Sequence, residues 1–510
     1  MKQELLMAVD LGTSLVKTGV YDLSGACLAV VREAVKSEQP APGQFIQRGE
    51  DIFASVLRCL RQATERMGDR AKEIAAISFT GQMAGFMGVG DGWEDVTGWS
   101  CSLDTRYIPH AQAQMRRYAD DFLNISGTNS PLFSAKYAWF REAFPERAKR
   151  IRKYLMISGY IVGRLGDMSL EEAVIDGSLL TWTGLADVKE RAWSTKICGA
   201  LDIPGECLPR IVASHDVVAR LSKEAARRTG LKPGIPLVAG AGDKIAGCVG
   251  AGNLRHGDTL FEAASFGAVS CMVGDFRPDR EKRHYDILNG AGERDLYAHY
   301  YMPGSGITQE WYVNQFFRRP DETLVEAYGR MDDALSDIAP GSDGLVAIGM
   351  LGGTVMPFDG DLRGVFLGHS WTHRPEHFYR ALVESFAYAL STAVDRMDAL
   401  YPEHRHRERI RVIGGGAHAP GSIQIYADVL GTPLETINLD DAALWGASIL
   451  AARGVGLVDD VAVFADRHIT PRRRFVPDAR RTAVYAELKA QYNRYTAALS
   501  PLCRDRLHNG

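Results

Sequence analysis

Two stretches of this chain share one pattern, in which an apolar segment is followed by a turn of glycine and small polar residues and then by a second apolar segment. Such a pattern predicts a β-hairpin. Because it occurs once in each half, it predicts a duplicated α/β domain with a ligand held between the copies. The segments are Leu5–Val9, Asp10–Ser14 and Val16–Tyr21 in the first half, and Thr259–Ala263, Ala264–Gly267 and Ala268–Val273 in the second.

The segments after each hairpin have the periodicity of further helices and strands. We therefore expect two domains, 1–252 and 253–510, with the boundary near Gly252–Gly257. The predicted elements are helix 52–65 and strand 74–79 in the first half, and helix 379–401, strand 409–413 and helices 423–430 and 442–452 in the second.

Composition narrows the class of protein. A chain of 510 residues, 46% of them apolar, is too long for one hydrophobic core and can fill two. The 59 basic and 63 acidic residues give a net charge of -4, which argues against a nucleic-acid or membrane-surface protein. Its eight cysteines form no CxxC pair, which is typical of reduced thiols in a cytoplasmic protein. We expect a small-molecule partner, no membrane span and no secretory signal.

One carboxylate, Asp243, lies among five glycines within residues 240–252. Glycine allows backbone to approach a ligand closely, so an acid in this setting is placed for chemistry on a small substrate. The preceding segment, Ile235–Ala239, has the composition of a short buried strand. We therefore expect Asp243 in the loop after a strand end, where α/β proteins gather reactive groups.

Three further turns carry groups that suit phosphate or a nucleoside. In the turn Asp10–Ser14, a carboxylate can hold hydrated Mg²⁺ while hydroxyl and backbone N–H groups face phosphate oxygens, and Lys17 adds a cation. Asp, Gly, Thr and Ser also favour ordinary hairpin turns, and that alternative stays open. Ser265 offers one hydroxyl in the second hairpin, and Gly414–Gly416 allows flat contact with a base or equally a plain connection.

Histidines at 369, 373 and 377 have the spacing of metal ligands on one helix face. Pro375 interrupts such a helix between them, and the intervening Arg374 and Glu376 have the character of solvated residues, so we do not interpret the histidines as a metal site. The charged run 404–409 is likewise interpreted as an exposed turn.

Taken in order, these motifs resemble the FGGY carbohydrate kinases of the actin-like ATPase superfamily, over nearly the whole chain. The segment Gly81–Gly85 is similar to the sugar-site motif of the xylulokinase branch, and Gly242-Asp243 with its glycines is similar to the catalytic loop. Other matching segments are Asp10–Ser14, Leu103–Arg106, Gly341–Leu345, Arg363-Gly364, Arg380–Glu384, Gly414–Ala417, Ala427–Gly431 and Ala443–Ala447.

The resemblance implies two related ribonuclease H-like α/β domains with a ligand cleft between them, and ATP-dependent phosphorylation of a sugar or polyol hydroxyl. It implies Asp243 as general base and Asp10 as the Mg²⁺ site. A homodimer is compatible with it. The implied substrate residues are Gln82, Met83, Ala84, Asp104, Arg106 and Asp243, and the implied ATP residues are Thr13, Ser14, Lys17, Ser265, Gly267, Gly306, Gly415 and Gly416.

Three departures from the family pattern leave alternatives open. Ala84 stands where xylulokinases usually have His, Phe266 adds bulk to the second phosphate motif, and His418-Ala419 replaces a common Arg-Ser pair. Asp104 and Arg106 also have the alternative of a structural salt bridge. A non-catalytic sugar or nucleotide sensor, and an actin-like or chaperone-like ATPase, are the rival functions.

Overall fold

The computed structural model describes residues 4–302, 304–356, 358–359 and 361–508, and two large β-sheets organise it. The strands of the first sheet are β1 (Leu5–Leu11), β2 (Leu15–Tyr21), β3 (Cys27–Ala34), β4 (Ile74–Gly81), β5 (Val217–Arg220) and β6 (Pro236–Val238). Those of the second are β7 (Thr259–Glu262), β8 (Gly267–Val273), β9 (Asp286–Asn289), β10 (Leu296–Met302), β11 (Ile410–Ile413), β12 (Leu434–Ile437) and β13 (Pro471–Phe475).

The two sheets share one strand arrangement, to which the second sheet adds β9 at its edge. β1, β2 and β3 form an antiparallel meander, and β4 and β6 extend the sheet parallel to β1, in the order β5-β6-β4-β1-β2-β3. In the second sheet β7, β8 and β10 repeat the meander and β11 and β12 repeat the parallel pair, in the order β9-β10-β8-β7-β11-β12-β13. This repeat agrees with the duplication that the two hairpins predict.

Helices cover the sheets, and the central strand β1 is buried along its whole length. The helix Gly49–Met67 packs an apolar face that includes Ile52, Val56 and Leu60 against β2 and β3. The α-helices are Gly49–Met67, Ile108–Asp121, Leu132–Ala143, Pro145–Ala148, Ile157–Gly166, Thr195–Ala200, Lys223–Thr229, Asp243–Gly250, Ser305–Tyr312, Leu324–Asp333, Pro375–Leu400, Pro420–Leu430, Ala442–Gly454, Val461–His468 and Ala479–His508.

Short strands outside the two sheets lie in the connections between the main elements. They are Gly85–Gly90, Glu94–Asp95, Ser100–Cys101, Lys153–Leu155, Val174–Asp176, Ala186–Asp187, Ala192–Trp193, Arg210–Val212, Val346–Ile348, Thr354–Val355, Phe358–Asp359 and Val365–Leu367. None of the helices in the described ranges combines the length and the apolar character needed to cross a membrane.

Two segments differ locally from the sequence-based predictions. Asp243 is the first residue of the helix Asp243–Gly250, so its expected place in a loop is wrong by one residue, because the glycines of this segment lower its helix propensity without preventing the helix. Pro375 begins the helix Pro375–Leu400, which leaves His369 and His373 before it. Within the described residues no group of three or more His, Cys, Asp or Glu side chains is arranged to hold a metal ion.

The helices that follow β6 and β12 cross each other between the two sheets at very short range. An ideal Cβ on Gly446 would lie 1.8 Å from the carbonyl oxygen of Ala246, and one on Gly250 would lie 2.1 Å from that of Ala442. Only glycine permits this contact of backbone on backbone. These contacts set the first turn of Ala442–Gly454 against the last turn of Asp243–Gly250. Asp243 and Asp441, at the N-terminal ends of these helices, belong to the charged groups described next.

Candidate active site

Lys17 connects carboxylates from the two halves of the chain. It stands opposite Asp10 in the β1–β2 hairpin, and its Nζ lies 3.2 Å from Asp10 Oδ2 and 3.0 Å from Asp441 Oδ2. Asp441 caps the helix Ala442–Gly454 by accepting a hydrogen bond from the N–H of Leu444. Burial raises the pKa of Asp10, and the Lys17 charge only partly opposes this. The predicted metal site is therefore a buried acid with a cation beside it.

Asp243 lies close to this group, at the N-terminus of its helix. Its Oδ1 accepts a hydrogen bond of 2.8 Å from the backbone N–H of Lys244, and the residue is partly exposed. Burial raises the pKa of Asp243 to about 6, with Lys244 lowering it and the charges of Glu262 and Asp10 raising it. A partly exposed carboxylate of this pKa is deprotonated near neutral pH and able to take a proton.

A second lysine pairs across the halves. Lys244 Nζ lies 2.8 Å from Oε2 of Glu262, the last residue of β7. Burial lowers the pKa of Lys244, but the charges of Glu262 and Asp243 outweigh burial and raise it, so the ammonium stays charged. Lys244, Glu262 and Asp441 are not among the site residues predicted from the sequence. The available signals were the position of Lys244 next to Asp243 and that of Glu262 at the end of the second hairpin strand.

The predicted phosphate residues lie at the two hairpin turns. Thr13 donates to Gln82 Oε1 at 3.0 Å, and Ser14 is exposed at the turn between β1 and β2. In the second hairpin, Gly267 N donates to Ser305 Oγ at 2.9 Å. Gly306 approaches the same turn so closely that a Cβ there would lie 2.5 Å from the carbonyl oxygen of Ala264.

The triple glycine after β11 also lies against the second hairpin. Gly414 has a positive φ of 91°, and a Cβ there would lie 2.5 Å from the carbonyl oxygen of Ala263. Gly416 N donates to that same oxygen at 2.8 Å. Gly415 is exposed with open space beside its Cα, so bare backbone faces outward here.

The predicted sugar residues 82–84 lie between Thr13 and the Asp243 segment. Gln82 Oε1 accepts from Trp99 Nε1 at 3.2 Å as well as from Thr13, whereas its Nε2 is buried with no partner. Met83 packs on Gly242, where a Cβ would lie 2.4 Å from Met83 Cγ. Ala84 is partly buried against the core. The unpartnered amide donor of Gln82 is suited to a ligand oxygen.

Asp104 and Arg106 pair with each other, which is the alternative that the sequence left open. Arg106 donates to Asp104 at 2.8 and 2.7 Å, Ser100 donates at 2.8 Å, and Asp104 is 1% exposed. Burial opposes ionisation, but the Arg106 hydrogen bond and the Lys136 charge still lower the pKa of Asp104. The Arg106 guanidinium also stacks 4.3 Å from the centre of the Trp139 ring. These contacts fix the orientation of both side chains in a structural salt bridge.

Phe266 is the bulky residue of the second phosphate motif. It is partly exposed, and its ring stacks on Tyr301 with centroids 6.1 Å apart and planes 15° apart. Its side chain therefore rests on β10 instead of filling the hairpin turn, so Ser265 and Gly267 keep their places in the turn.

The donor set fits Mg²⁺ only when other ligands complete its coordination. Asp10 supplies hard carboxylate oxygen, and the Lys17 ammonium 3.2 Å away shows that a cation is accommodated beside it. Since the described residues form no three-ligand cluster, any Mg²⁺ here would rely on water and substrate phosphate, as this ion commonly does.

The chain matches known proteins along most of its length. Residues 5–250 match the N-terminal domain, and residues 286–455 the C-terminal domain, of the FGGY family of carbohydrate kinases. Xylulose kinase of Bacillus subtilis (strain 168) is 26% identical over 498 residues, covering 96% of each chain, and gluconokinase of the same strain is 24% identical over 474 residues, covering 90% of each.

Among solved structures, the ligand-bound xylulose kinase from Lactobacillus acidophilus superposes with a TM-score of 0.88 at 23% identity, covering 98% of this chain and 99% of that one. The fold predicted from the sequence, two α/β domains of the actin-like ATPase type, is confirmed by this likeness.

Proposed function

Because the chain belongs to the FGGY family of carbohydrate kinases, we propose that it transfers the γ-phosphate of ATP to a hydroxyl of a small ketose or polyol, with Asp243 as general base. The observation that carries this proposal is the position of Asp243 at a helix N-terminus, partly exposed and near enough to the charges of Lys244, Glu262 and Asp10 for them to shift its pKa.

The general-base role follows from the chemistry of the acceptor. An alcohol does not ionise near neutral pH, so its proton has to leave as the bond to phosphorus forms. A carboxylate within hydrogen-bond reach accepts that proton. With a pKa of about 6, Asp243 is ionised at pH 7.5 and is a stronger base than an exposed aspartate.

The groups around Asp243 supply charge for the phosphates. Mg²⁺, when bound, would neutralise charge on the phosphate oxygens, and Asp10 is the residue that would hold it, through water. Thr13, Ser14 and Ser265 offer hydroxyls, and Lys17 supplies positive charge beside Asp10. Gly267 and Gly306 let backbone come close to the phosphates at the second hairpin.

The open backbone at Gly415, held in place by the contact of Gly416 with Ala263, supports a place for the adenosine on the second domain. We also propose the domain boundary at residues 252 and 253. The last strand of the first sheet ends at Val238 and the first strand of the second begins at Thr259, on either side of that point.

For the acceptor we propose a pentulose such as xylulose or a related sugar, contacted by Gln82, Met83 and Ala84. The unpartnered Nε2 of Gln82 supports a hydrogen bond to a sugar oxygen. Asp104 and Arg106 complete the proposed acceptor set: the side chain of Arg106 is 23% exposed, and the buried Asp104 would act by holding it. Xylulose and gluconate kinases are both among the relatives, so the acceptor is to be identified by a panel of ketoses, polyols and sugar acids.

The experiment measures acceptor-dependent ADP release across that panel for the native protein and for Asp243→Asn. We expect one class of acceptor to stimulate ADP release, and Asp243→Asn to lose about 10²–10⁴-fold in kcat with ATP binding retained, as general bases contribute. Asp459→Asn, at an exposed carboxylate, is the matched control and should behave as native.

Near-native turnover by Asp243→Asn contradicts the general-base assignment. ADP release that ignores every acceptor contradicts the kinase proposal and favours an ATPase, and no ADP release at all favours a sensor.

A further inference from the structure

A buried acid outside the proposed catalytic set lies behind the Asp243 segment. Asp176 ends the strand Val174–Asp176 and is 4% exposed. Its Oδ1 accepts hydrogen bonds from the N–H of Ser178 at 2.9 Å, from Ser178 Oγ at 2.5 Å and from Ser214 Oγ at 3.3 Å. Three donors on one oxygen hold this carboxylate in place, and two of them come from Ser178.

The Ser178 hydroxyl makes a second contact, toward the proposed catalytic loop. Because it donates its proton to Asp176, its lone pairs are free to accept, and the N–H of Gly242 donates to it at 2.9 Å. Gly242 directly precedes Asp243 and caps its helix, with its carbonyl accepting from the N–H of Ala246 at 2.8 Å. The chain of bonds therefore runs from Asp176 through Ser178 to the residue next to Asp243.

The other contacts of this loop lie farther from Asp243 along the chain. Ala241 N donates to the carbonyl of Phe79 at 3.1 Å, and Gly240 N donates to the carbonyl of Ser214 at 2.8 Å. Both are backbone contacts that side-chain substitution leaves in place. The Ser178 hydroxyl is thus a side-chain group that binds the loop at Gly242, the residue directly before Asp243.

The segment that carries Ser178 is also tied to the second sheet. Trp182 Nε1 donates to Asp286 Oδ2 at 2.9 Å, and Thr181 Oγ1 donates to the carbonyl of Ile287 at 2.9 Å. Both acceptors belong to β9. Ser178 is therefore connected to the first-domain loop on one side and to the second domain through its own segment on the other.

We propose that Ser178, oriented by Asp176, is a positioning residue that fixes the direction of the Asp243 carboxylate toward the acceptor hydroxyl. The inference rests on the proposed role of Asp243 and adds a residue pair that acts through it. Proton transfer during phosphoryl transfer requires the base within hydrogen-bond reach, so a small rotation of the loop slows turnover without removing the ATP site.

The test compares Ser178→Ala with Ser214→Ala. Both variants remove a hydroxyl donor from Asp176, but only Ser178→Ala removes the acceptor for the Gly242 N–H. We expect Ser178→Ala to lower kcat about tenfold with the KM for ATP within twofold of native. Ser214→Ala should keep kcat within twofold, and Asp176→Asn, which keeps an oxygen acceptor for Ser178, should stay within about threefold.

Equal losses in Ser178→Ala and Ser214→Ala, or native kcat in Ser178→Ala, would overturn the proposal. If Ser178→Ala does not fold, as judged by its melting temperature, Ser178→Cys takes its place, because a thiol of similar shape is a weak acceptor. Native kcat in Ser178→Cys then overturns the proposal. Asp243→Asn is assayed in parallel: if it is active, the proposed function fails, whereas an inactive Asp243→Asn beside a native Ser178→Ala removes only the positioning role.

Discussion

Asp10 and Glu262 occupy matching places in the two halves, near the carboxyl ends of β1 and β7, yet their surroundings differ. Asp10 contacts Lys17 of its own hairpin, and its side chain is 11% exposed. Glu262 contacts Lys244 from the other half, and its side chain is 26% exposed. Both acids are therefore ion-paired, but Asp10 is the more buried and lies beside the first hairpin turn, whereas Glu262 pairs with the residue next to Asp243.

The two lysines show why the halves are not interchangeable. Lys17 reaches from the first hairpin to the helix cap Asp441 in the second half, and Lys244 reaches from the first-half helix to Glu262. Each ammonium thus balances acids from both halves. Duplication supplied the framework, but the acids proposed for phosphate charge and for proton transfer, Asp10 and Asp243, both lie in the first half. The second half contributes the acids Asp441 and Glu262 that pair with the two lysines.

The largest effect should separate the two matching acids. If Asp10 holds Mg²⁺ and phosphate charge, Asp10→Asn lowers kcat by about 10²–10³-fold, the size expected when a main electrostatic group is removed. Glu262→Gln, which removes only the partner of Lys244, should lower kcat by less than about tenfold at pH 8. Steady-state kinetics with the best acceptor of the panel measure both.

The affinity for ADP gives a second comparison of Asp10→Asn with Glu262→Gln. Calorimetric titration with ADP, with and without Mg²⁺, should show that Asp10→Asn loses the Mg²⁺-dependent gain in affinity and that Glu262→Gln keeps it. Equal losses of kcat and of Mg²⁺ dependence in the two variants would mean that the matching acids have matching roles, and the comparison would fail.

A smaller effect concerns the helices that cross between the halves. Gly446→Ala places a Cβ 1.8 Å from the carbonyl oxygen of Ala246, so the helices must separate, and we expect a loss of about 2–3 kcal/mol in the free energy of unfolding. In Gly247→Ala, on the facing helix, the nearest atom is Ile413 Cδ1 at 3.7 Å. That control should change stability by less than about 1 kcal/mol.

Urea denaturation followed by circular dichroism measures both glycine variants. A Gly446→Ala protein as stable as Gly247→Ala would show that the two helices can separate without a loss in the free energy of unfolding. The close contact between the halves would then not constrain their relative position.

Local patterns in the sequence predicted the parts of this molecule that depend on neighbouring residues. The hairpins followed from turn chemistry, and the Asp104–Arg106 pair was foreseen as an alternative because its members are two positions apart. Contacts across the fold carried no local signal: Lys17 and Asp441 are 424 positions apart, and Ser178 lies 64 positions before Gly242. Their partners are set by how the two sheets face each other, which a single sequence does not display.

The smallest effect is a shift in pH dependence, and it tests the charge balance around Asp243. A general base acts when deprotonated, so activity falls as the pH drops through the Asp243 pKa of about 6. Lys244 lowers that pKa and Glu262 raises it. Lys244→Gln should therefore move the acid limb of the kcat/KM profile to higher pH by about one unit, and Glu262→Gln should move it to lower pH by a smaller amount.

The double variant Lys244→Gln/Glu262→Gln sharpens this result, because it removes both charges and should return the acid limb toward its native position. Shifts of the two single variants in the same direction would show that the limb belongs to another group. If neither single variant moves the acid limb of the kcat/KM profile, the Lys244–Glu262 ion pair contributes only to the contact between the halves. Glu262 would then have no electrostatic effect on Asp243, and its role could not be compared with that of Asp10.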